Sequence, residues 1–302
     1  MKKLSIIILS IALITSSMPV LASETKKEHK FDIVKAKIEL KEMADREVYN
    51  LKKTNSYSIR KEINPEKLVT QLYNNQKISS KDAEEILKAN GIYKLNIPKE
   101  YLPATKSMDT GDVSMTEPWI TYDSHNNEWI VTCGGYWENA DYSDGIGKLW
   151  AGYVGEIKNV GGRDGFGVGF TSTTGTYKTY VKRSYAQISD GEGNIETTDN
   201  RTDGNGEKGF GFQFQDYAKC YKVELAKVYY TYIGKHFGGS CVYDKNFTEY
   251  DGCATTYYRH TYNKAKLNSV SFGVSGKTAG VEFSITNEQY SLPPIFSNDT
   301  RF

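Results

Sequence analysis

The chain has few cysteines and histidines, and this shortage argues against several kinds of enzyme. It contains four of each among 302 residues. None of them stands at the short spacing of a zinc site or of a helical His pair. The sequence also has no Gly-x-Ser-x-Gly nucleophile elbow and no complete phosphate-binding loop. We therefore expect no metal and no cofactor, and we nominate no catalytic residue.

Excess charge and long apolar runs are also missing. The 38 Lys and Arg residues nearly balance the 37 Asp and Glu residues, for a formal net charge of +1. Nucleic-acid-binding proteins carry basic patches, and no cluster of Lys and Arg stands out here. The overall charge does not favour an anionic membrane surface either. No apolar run of membrane-spanning length follows the first 22 residues, so we expect no transmembrane anchor.

Residues 1–22 are typical of a secretory signal peptide. Met1, Lys2 and Lys3 form a basic start, residues 4–14 are apolar apart from two serines, and Ala22 ends a cleavage site. The apolar part is too short to span a bilayer. The sequence thus predicts a secreted, extracellular protein.

The composition of the mature chain changes near residue 96. Residues 23–95 are rich in Lys and Glu and lack Trp and Cys, whereas all four Trp and all four Cys come later. Residues 96–118 hold three of the seven prolines, which is typical of a linker. We therefore predict a helical arm over 23–95, a linker over 96–118 and a second domain over 119–302.

Capping signals indicate where the helices of the arm begin. Asn64 precedes Pro65, which favours a helix start with Asn as its cap. Ser79 stands three residues before Asp82, which is another start signal, and Asn90-Gly91 favours a stop. The apolar stripes are narrow, so the arm could dock on the second domain, pair with another chain or be a removable pro-segment.

The second domain reads as β-structure throughout. Large residues alternate with small or polar ones in 166–170, 210–215 and 221–225, and 270–285 has the pattern of a hairpin. A phase slip near 226–227 indicates a bulge or a turn. Many short strands with Gly-rich turns predict a mainly β fold, an antiparallel, jelly-roll-like β-sandwich.

The cysteines of a secreted β domain are expected to form disulfides. Cys241 and Cys253 flank a segment that resembles a hairpin, so we pair Cys241 with Cys253. This leaves Cys133 with Cys220.

Aromatic residues offer the best candidates for ligand contact. The chain has 23 Tyr, including the pair Tyr257 and Tyr258. Neighbouring residues on a strand point to opposite faces, so one ring of that pair is expected to face outward. Exposed rings beside Gly-rich turns suit the flat faces of sugars. We nominate Trp137, Trp150, Tyr257 and Tyr258 as ligand-binding residues.

Two functions from different classes remain. The first is a non-enzymatic binding protein for a glycan, a cell-wall polymer or a protein. The second is a secreted effector, a glycoside hydrolase or a toxin acting on a target cell surface. A hydrolase needs two facing carboxyl groups.

The carboxylates give two further hypotheses. Glu128 with Glu138, or Glu282 with Glu288, would supply the hydrolase pair if they shared a sheet face. A loose calcium site is the alternative to solvated turn carboxylates for four acids: Asp190, Glu192, Asp199 and Asp203.

Overall fold

A computed structural model describes residues 31–53, 63–102, 112–139, 153–174, 179–198, 201–202, 206–225, 227–262, 266–275 and 278–302. The signal peptide predicted for 1–22 lies outside these ranges. The chain divides between Phe31 and Asp32, and Asp32–Phe302 forms one compact unit. This unit has short N-terminal helices followed by antiparallel strands, which confirms the mainly β class.

The helices and strands of this unit have the following bounds. The helices are α1 (Ile33–Lys53), α2 (Pro65–Tyr73) and α3 (Ser80–Ala89). The strands are β1 (Ile92–Lys94), β2 (Val113–Asp123), β3 (Glu128–Trp137), β4 (Ile157–Asn159), β5 (Asp164–Thr174), β6 (Val181–Ser189), β7 (Ile195–Thr197), β8 (Arg201–Thr202), β9 (Gly209–Phe214), β10 (Tyr217–Glu224), β11 (Lys227–Ile233), β12 (His236–Tyr243), β13 (Asp251–Arg259), β14 (Lys266–Ser275), β15 (Thr278–Thr286), β16 (Ile295–Phe296) and β17 (Thr300–Arg301).

The strands form four antiparallel sheets. Sheet A has the order β1-β2-β3-β12-β6-β7, and sheet B has the order β16-β13-β5-β9-β8, with β17 also beside β13. A small sheet has the order β11-β10-β4, and β14 pairs with β15 as the predicted hairpin. Strand β1 falls within the predicted helical arm, and β2 begins inside the predicted linker.

Aromatic rings fill the space between sheet A and sheet B. The register of β5 and β9 places Phe166 opposite Phe212, with ring centroids 5.3 Å apart. Phe237 of β12 lies 5.4 Å from Phe166 and stacks on Tyr258 of β13 at 4.4 Å. Since β12 belongs to sheet A and the other strands to sheet B, these rings hold the two sheets face to face.

Glycines give β5 a second face that accepts the β14–β15 hairpin. A Cβ atom added at Gly165 would stand 2.8 Å from Leu267 and 3.1 Å from Phe283. A Cβ atom at Gly169 would stand 3.0 Å from Val281. The alternation of large residues and glycine therefore serves both faces of this strand.

The helix starts predicted from the sequence are confirmed. The Asn64 side chain accepts a hydrogen bond from the Lys67 amide at the start of α2, and Ser79 accepts one from the Asp82 amide at the start of α3. Helix α3 ends at Ala89, before Asn90 and Gly91. None of the helices in the described ranges combines the length and apolar character that crossing a bilayer requires.

Helix α2 docks on sheet A through apolar and polar contacts. Val69 and Leu72 share a buried cluster with Val242 of β12. The Thr70 hydroxyl lies 2.6 Å from the Ser240 hydroxyl, which lies 2.7 Å from that of Thr132. This buried chain of hydroxyl groups links the helix to β12 and β3 and satisfies groups that would be costly to bury alone.

Helix α1 inserts one lysine into an aromatic cage. Lys37 is 0% exposed, and its ammonium lies 4.8 Å from the ring centroid of Phe247, 5.7 Å from that of Phe302 and 5.8 Å from that of Trp129. It donates hydrogen bonds to the carbonyl groups of Phe247 and Tyr250. Burial lowers the pKa of Lys37 to about 7, although the nearby Asp251 acts in the opposite direction.

In this structure no disulfide joins Cys241 to Cys253 or Cys133 to Cys220. The 3-10 helix Lys245–Glu249 separates Cys241 on β12 from Cys253 on β13, so these residues lie on different sheets. Cys133 on β3 and Cys220 on β10 are also on different sheets. The segment that resembled a hairpin is therefore a crossover between sheets.

We predict that Lys37 makes stability depend on pH above neutrality. The unfolded chain holds this proton up to about pH 10 and the folded chain only to about pH 7. The free energy of unfolding of the wild type should therefore rise with pH in that window, relative to Lys37→Met, by at most about 1.4 kcal/mol per pH unit.

Urea unfolding between pH 6 and 9 measures this difference. The control is Lys35→Met, which changes an exposed lysine on the same helix and should give no such slope. A constant difference between wild type and Lys37→Met over this range would contradict the prediction.

Candidate functional site

A groove of about 910 Å³ opens beside helix α2 at one end of sheet A. This volume lies in the range that ligand pockets occupy. The groove is formed by the end of α2 with the turn after it, the ends of β3 and β6, the start of β12 and the turn between β6 and β7. Its lining comprises Leu68, Gln71, Leu72, residues 74–77, residues 136–138, Gln187, residues 189–193, Ile195, Lys235 and His236.

Two rings stack on the floor of the groove. Tyr136 on β3 and His236 on β12 are direct cross-strand partners, with ring centroids 5.7 Å apart and an angle of 18° between the planes. Trp137 follows on β3 and also lines the groove. The ends of two neighbouring strands thus contribute three rings to the lining of the groove.

Three polar atoms of residues in this lining are buried and have no hydrogen-bond partner among the described residues. They are Nδ1 of His236, Nδ2 of Asn74 and Nε1 of Trp137. His236 is only 8% exposed. Asn74 lies against Gly238, where a Cβ atom would stand 2.4 Å from its Oδ1. Such unpaired groups cost about 1–3 kcal/mol each unless a ligand or water satisfies them.

The imidazole of His236 is held in its neutral form. Burial lowers its pKa, and the neighbouring Lys235 lowers it further. A neutral imidazole accepts a hydrogen bond at one ring nitrogen and donates at the other. The ring therefore suits an uncharged hydroxyl or amide group.

Asp190 shapes the turn that forms one wall of the groove. Its Oδ1 accepts hydrogen bonds from the amides of Glu192 and Asn194, and its Oδ2 accepts one from the Thr231 hydroxyl at 2.7 Å. Burial tends to raise the pKa of Asp190, but these hydrogen bonds, with one from the Asn194 side chain, lower it overall. The carboxylate holds the turn together and ties it to β11.

A second polar cluster lies buried behind Trp137. Asp164, Asp216 and His260 place their ligand atoms within 4.8 Å of one another, the one group of this kind among the described residues. Asp164 accepts hydrogen bonds from the Tyr258 hydroxyl at 2.6 Å and the Thr261 amide at 2.8 Å, and its Oδ2 lies 2.9 Å from Nδ1 of His260. Protein groups thus contact both oxygens of this buried carboxylate.

Asp216 is the buried acid beside Asp164. It accepts a hydrogen bond from Tyr232. Burial raises the pKa of Asp216 well above its usual range, and the nearby Asp164 raises it further. Burial therefore favours the protonated form of Asp216.

The structure places the nominated ligand-binding residues in different environments. Trp137 is half-buried in the groove lining, and its ring also lies edge-on to His260 at 5.1 Å. Tyr258 is 0% exposed and belongs to the core, so its nomination as a surface ligand contact is wrong. Tyr257 is half-buried and lies 6.1 Å from Phe296, away from the groove. Trp150 lies outside the described residues.

Of the two proposed hydrolase pairs, only Glu128 with Glu138 can be compared in the structure, and these two residues do not face each other. Glu128 begins β3 and Glu138 follows its last residue, so the length of this strand, about 30 Å, separates them. Glu288 forms an ion pair with Arg259 at 2.7 Å, and the side chain of Glu282 lies outside the described residues. Of the calcium candidates, Asp190 is used by its own turn, and Asp199 and Asp203 lie outside the described residues.

Comparison with known proteins identifies no relative that bears on the groove. No family model matches the sequence, and no curated protein matches it. Among solved structures, Clostridium perfringens delta-toxin is similar at 9% sequence identity, over 66% of this chain and 95% of that one, with a TM-score of 0.16. A score this low carries no argument.

Sequence reasoning missed most of the groove. Tyr136 precedes the nominated Trp137 and ends the same strand, so the adjacent aromatic pair was a usable signal. His236 and Asn74 had no local signal, because they meet only when β12 pairs with β3 and α2 docks above them.

Asp216 generates a prediction about stability and pH. The folded state binds its proton more tightly than the unfolded state. The stability that this proton contributes is present below the ordinary aspartate pKa and is lost as pH rises through the raised value. Asp216→Asn, which stays uncharged, should therefore gain free energy of unfolding relative to wild type as pH rises from 4 to 8.

Urea unfolding at several pH values tests this gain. Asp164→Asn is the comparison, because it removes the carboxylate that Tyr258, His260 and Thr261 contact, and it should destabilise the protein at neutral pH. If the stability difference between Asp216→Asn and wild type did not change with pH, folding would not raise the pKa of Asp216, and the prediction would be wrong.

Proposed function

We propose that this is a secreted, non-enzymatic binding protein whose groove beside α2 takes a segment of a glycan. The observation that carries the proposal is the pairing of stacked rings with three buried, unpartnered polar atoms in one groove of suitable size. Sugars are bound in this way, with rings against their C–H faces and polar groups on their hydroxyls.

The charges of the groove support a neutral glycan. Its lining contains Lys77 and Lys235 together with Glu138, Asp190 and Glu192. Two cations and three anions leave no positive surplus for a polyanionic ligand. The neutral imidazole of His236 fits the same interpretation.

The carboxylates of the groove support binding more than hydrolysis. Asp190 is held by its turn, Glu192 forms an ion pair with Lys77 at 2.9 Å, and Glu138 accepts a hydrogen bond from Ser114. Hydrolysis needs one carboxyl group as an acid and a second as a base or nucleophile. Each acid of the lining already has a different structural contact.

We predict that the groove rings contribute directly to affinity. Binding is measured first on an array of neutral and acidic oligosaccharides, and then by calorimetry with the best neutral glycan. Trp137→Ala and Tyr136→Ala should each weaken binding roughly 5- to 150-fold, which corresponds to about 1–3 kcal/mol for a stacking ring. Asn74→Ala should weaken it as well, because it removes the unpartnered amide.

The matched control is Trp119→Ala. Trp119 is also half-buried, but it lies on β2 against Tyr73, with ring centroids 5.2 Å apart, and does not line the groove. Its loss should lower the melting temperature without changing affinity in the folded fraction. If Trp137→Ala behaves like Trp119→Ala, the groove is not the glycan site.

A further inference from the structure

The hairpin formed by β10 and β11 carries an unusual concentration of exposed apolar side chains. Seven of the fourteen large apolar residues that are exposed in the described part of the chain lie on it or on the segment beside it. They are Tyr153, Val154, Ile157, Tyr221, Val223, Leu225 and Tyr229. Isolated apolar residues on a surface are ordinary, but a contiguous group indicates an interaction site.

The outer half of this hairpin stands clear of the rest of the small sheet. Strand β4 pairs with residues 217–219 of β10, and Gly155 and Glu156 before it hydrogen-bond Cys220, so beyond Cys220 the described hairpin is a two-stranded ribbon. Residues 221–225 are all exposed with respect to the described part of the chain, whereas Val228 and Tyr230 on β11 are half-buried. Two-stranded ribbons are marginally stable in water, so a covering surface would stabilise this one.

The tip of the ribbon is apolar and its sides are basic. Leu225 lies between the two strands and is 94% exposed, with a φ of 46° that is rare for a leucine. Lys219, Lys222 and Lys227 lie on the strands, and Glu224 is the one acid of β10 and β11. The Lys222 ammonium also lies 5.4 Å from the ring centroid of Tyr229.

We infer that the tip of the β10–β11 hairpin docks on an anionic phospholipid bilayer. The lysines complement acidic headgroups, tyrosines favour the interface between water and hydrocarbon, and Leu225 supplies an apolar group to bury. The ribbon beyond Cys220 is about 13–17 Å long, enough to reach the depth at which interfacial segments lie. The overall charge of the chain gives no hint of this surface, because the excess of lysine is local.

Vesicle flotation with the purified protein tests this inference. The probes are vesicles of phosphatidylcholine alone and vesicles with 30% phosphatidylserine. The wild type should partition at least about tenfold more strongly onto the anionic vesicles. Leu225→Asp should weaken this about tenfold or more, as expected for burial of a leucine side chain. Lys219→Glu and Lys227→Glu should each weaken it about fivefold.

Two controls match these variants in chemistry. Ile38→Asp changes a 41%-exposed apolar residue on α1, and Lys81→Glu changes an exposed lysine on α3. Both should bind vesicles as the wild type does. No flotation of the wild type, as expected if the tip served a protein partner, would overturn the inference. So would normal binding by Leu225→Asp with an unchanged thermal melt.

The outcome is independent of the proposed glycan site. None of the hairpin variants changes a residue of the groove, so glycan affinity should stay constant in all of them. Conversely, Trp119→Ala should leave vesicle binding unchanged. If one of the two binding sites is disproved, the other is still tested by its own measurement.

Discussion

Close packing of aromatic rings between sheet A and sheet B is the constraint on which the rest of the fold depends. Each ring buried between the sheets needs space on the strand that it faces. Glycine leaves that space because it has no side chain. At Gly239 of β12 a Cβ atom would stand 2.4 Å from the Phe212 ring. A side chain there would push the sheets apart, because buried rings cannot compress. The groove depends on this packing because Tyr136 and His236 sit at the ends of two strands that the rings hold in place.

The regular part of this arrangement could be predicted from the sequence. Alternation in residues 166–170 and 210–215 identified β5 and β9, because a strand exposes successive side chains to opposite faces. Capping residues identified α2 and α3, because their side chains satisfy free amide groups locally. The phase slip after Leu225 marked the turn of the β10–β11 hairpin. These signals depend only on residues that are close together in the sequence.

The candidate site could not be predicted in the same way. Asn74 meets Gly238 across a long stretch of chain, and the acid cluster joins Asp164 at the start of β5 to Asp216 in the connection between β9 and β10. Such contacts depend on sheet order, which local patterns do not encode. The segment between Cys241 and Cys253, which was predicted as a hairpin, is a similar case. The spacing of Cys241 and Cys253 suits a hairpin, but a 3-10 helix there carries the chain between two sheets.

Trp137 connects the two proposed binding surfaces. Its ring lines the groove, and it also packs against Val160, Ala218 and Tyr232 at the base of the small sheet. Asp190 makes a parallel link, since its carboxylate joins the groove wall to Thr231 on β11. The base of the β10–β11 hairpin and the groove therefore share supporting residues. A protein docked through the hairpin would hold its groove at a fixed height above the bilayer.

Because the aromatic cage buries Lys37, chemical labelling of this residue reports when helix α1 detaches. The lowered pKa of about 7 belongs to the buried amine, which no reagent can reach while α1 is in place. When α1 detaches, the amine returns to water and to the ordinary pKa of a surface lysine. An acylating label therefore modifies Lys37 only during the moments when α1 detaches, and the labelling rate counts those openings.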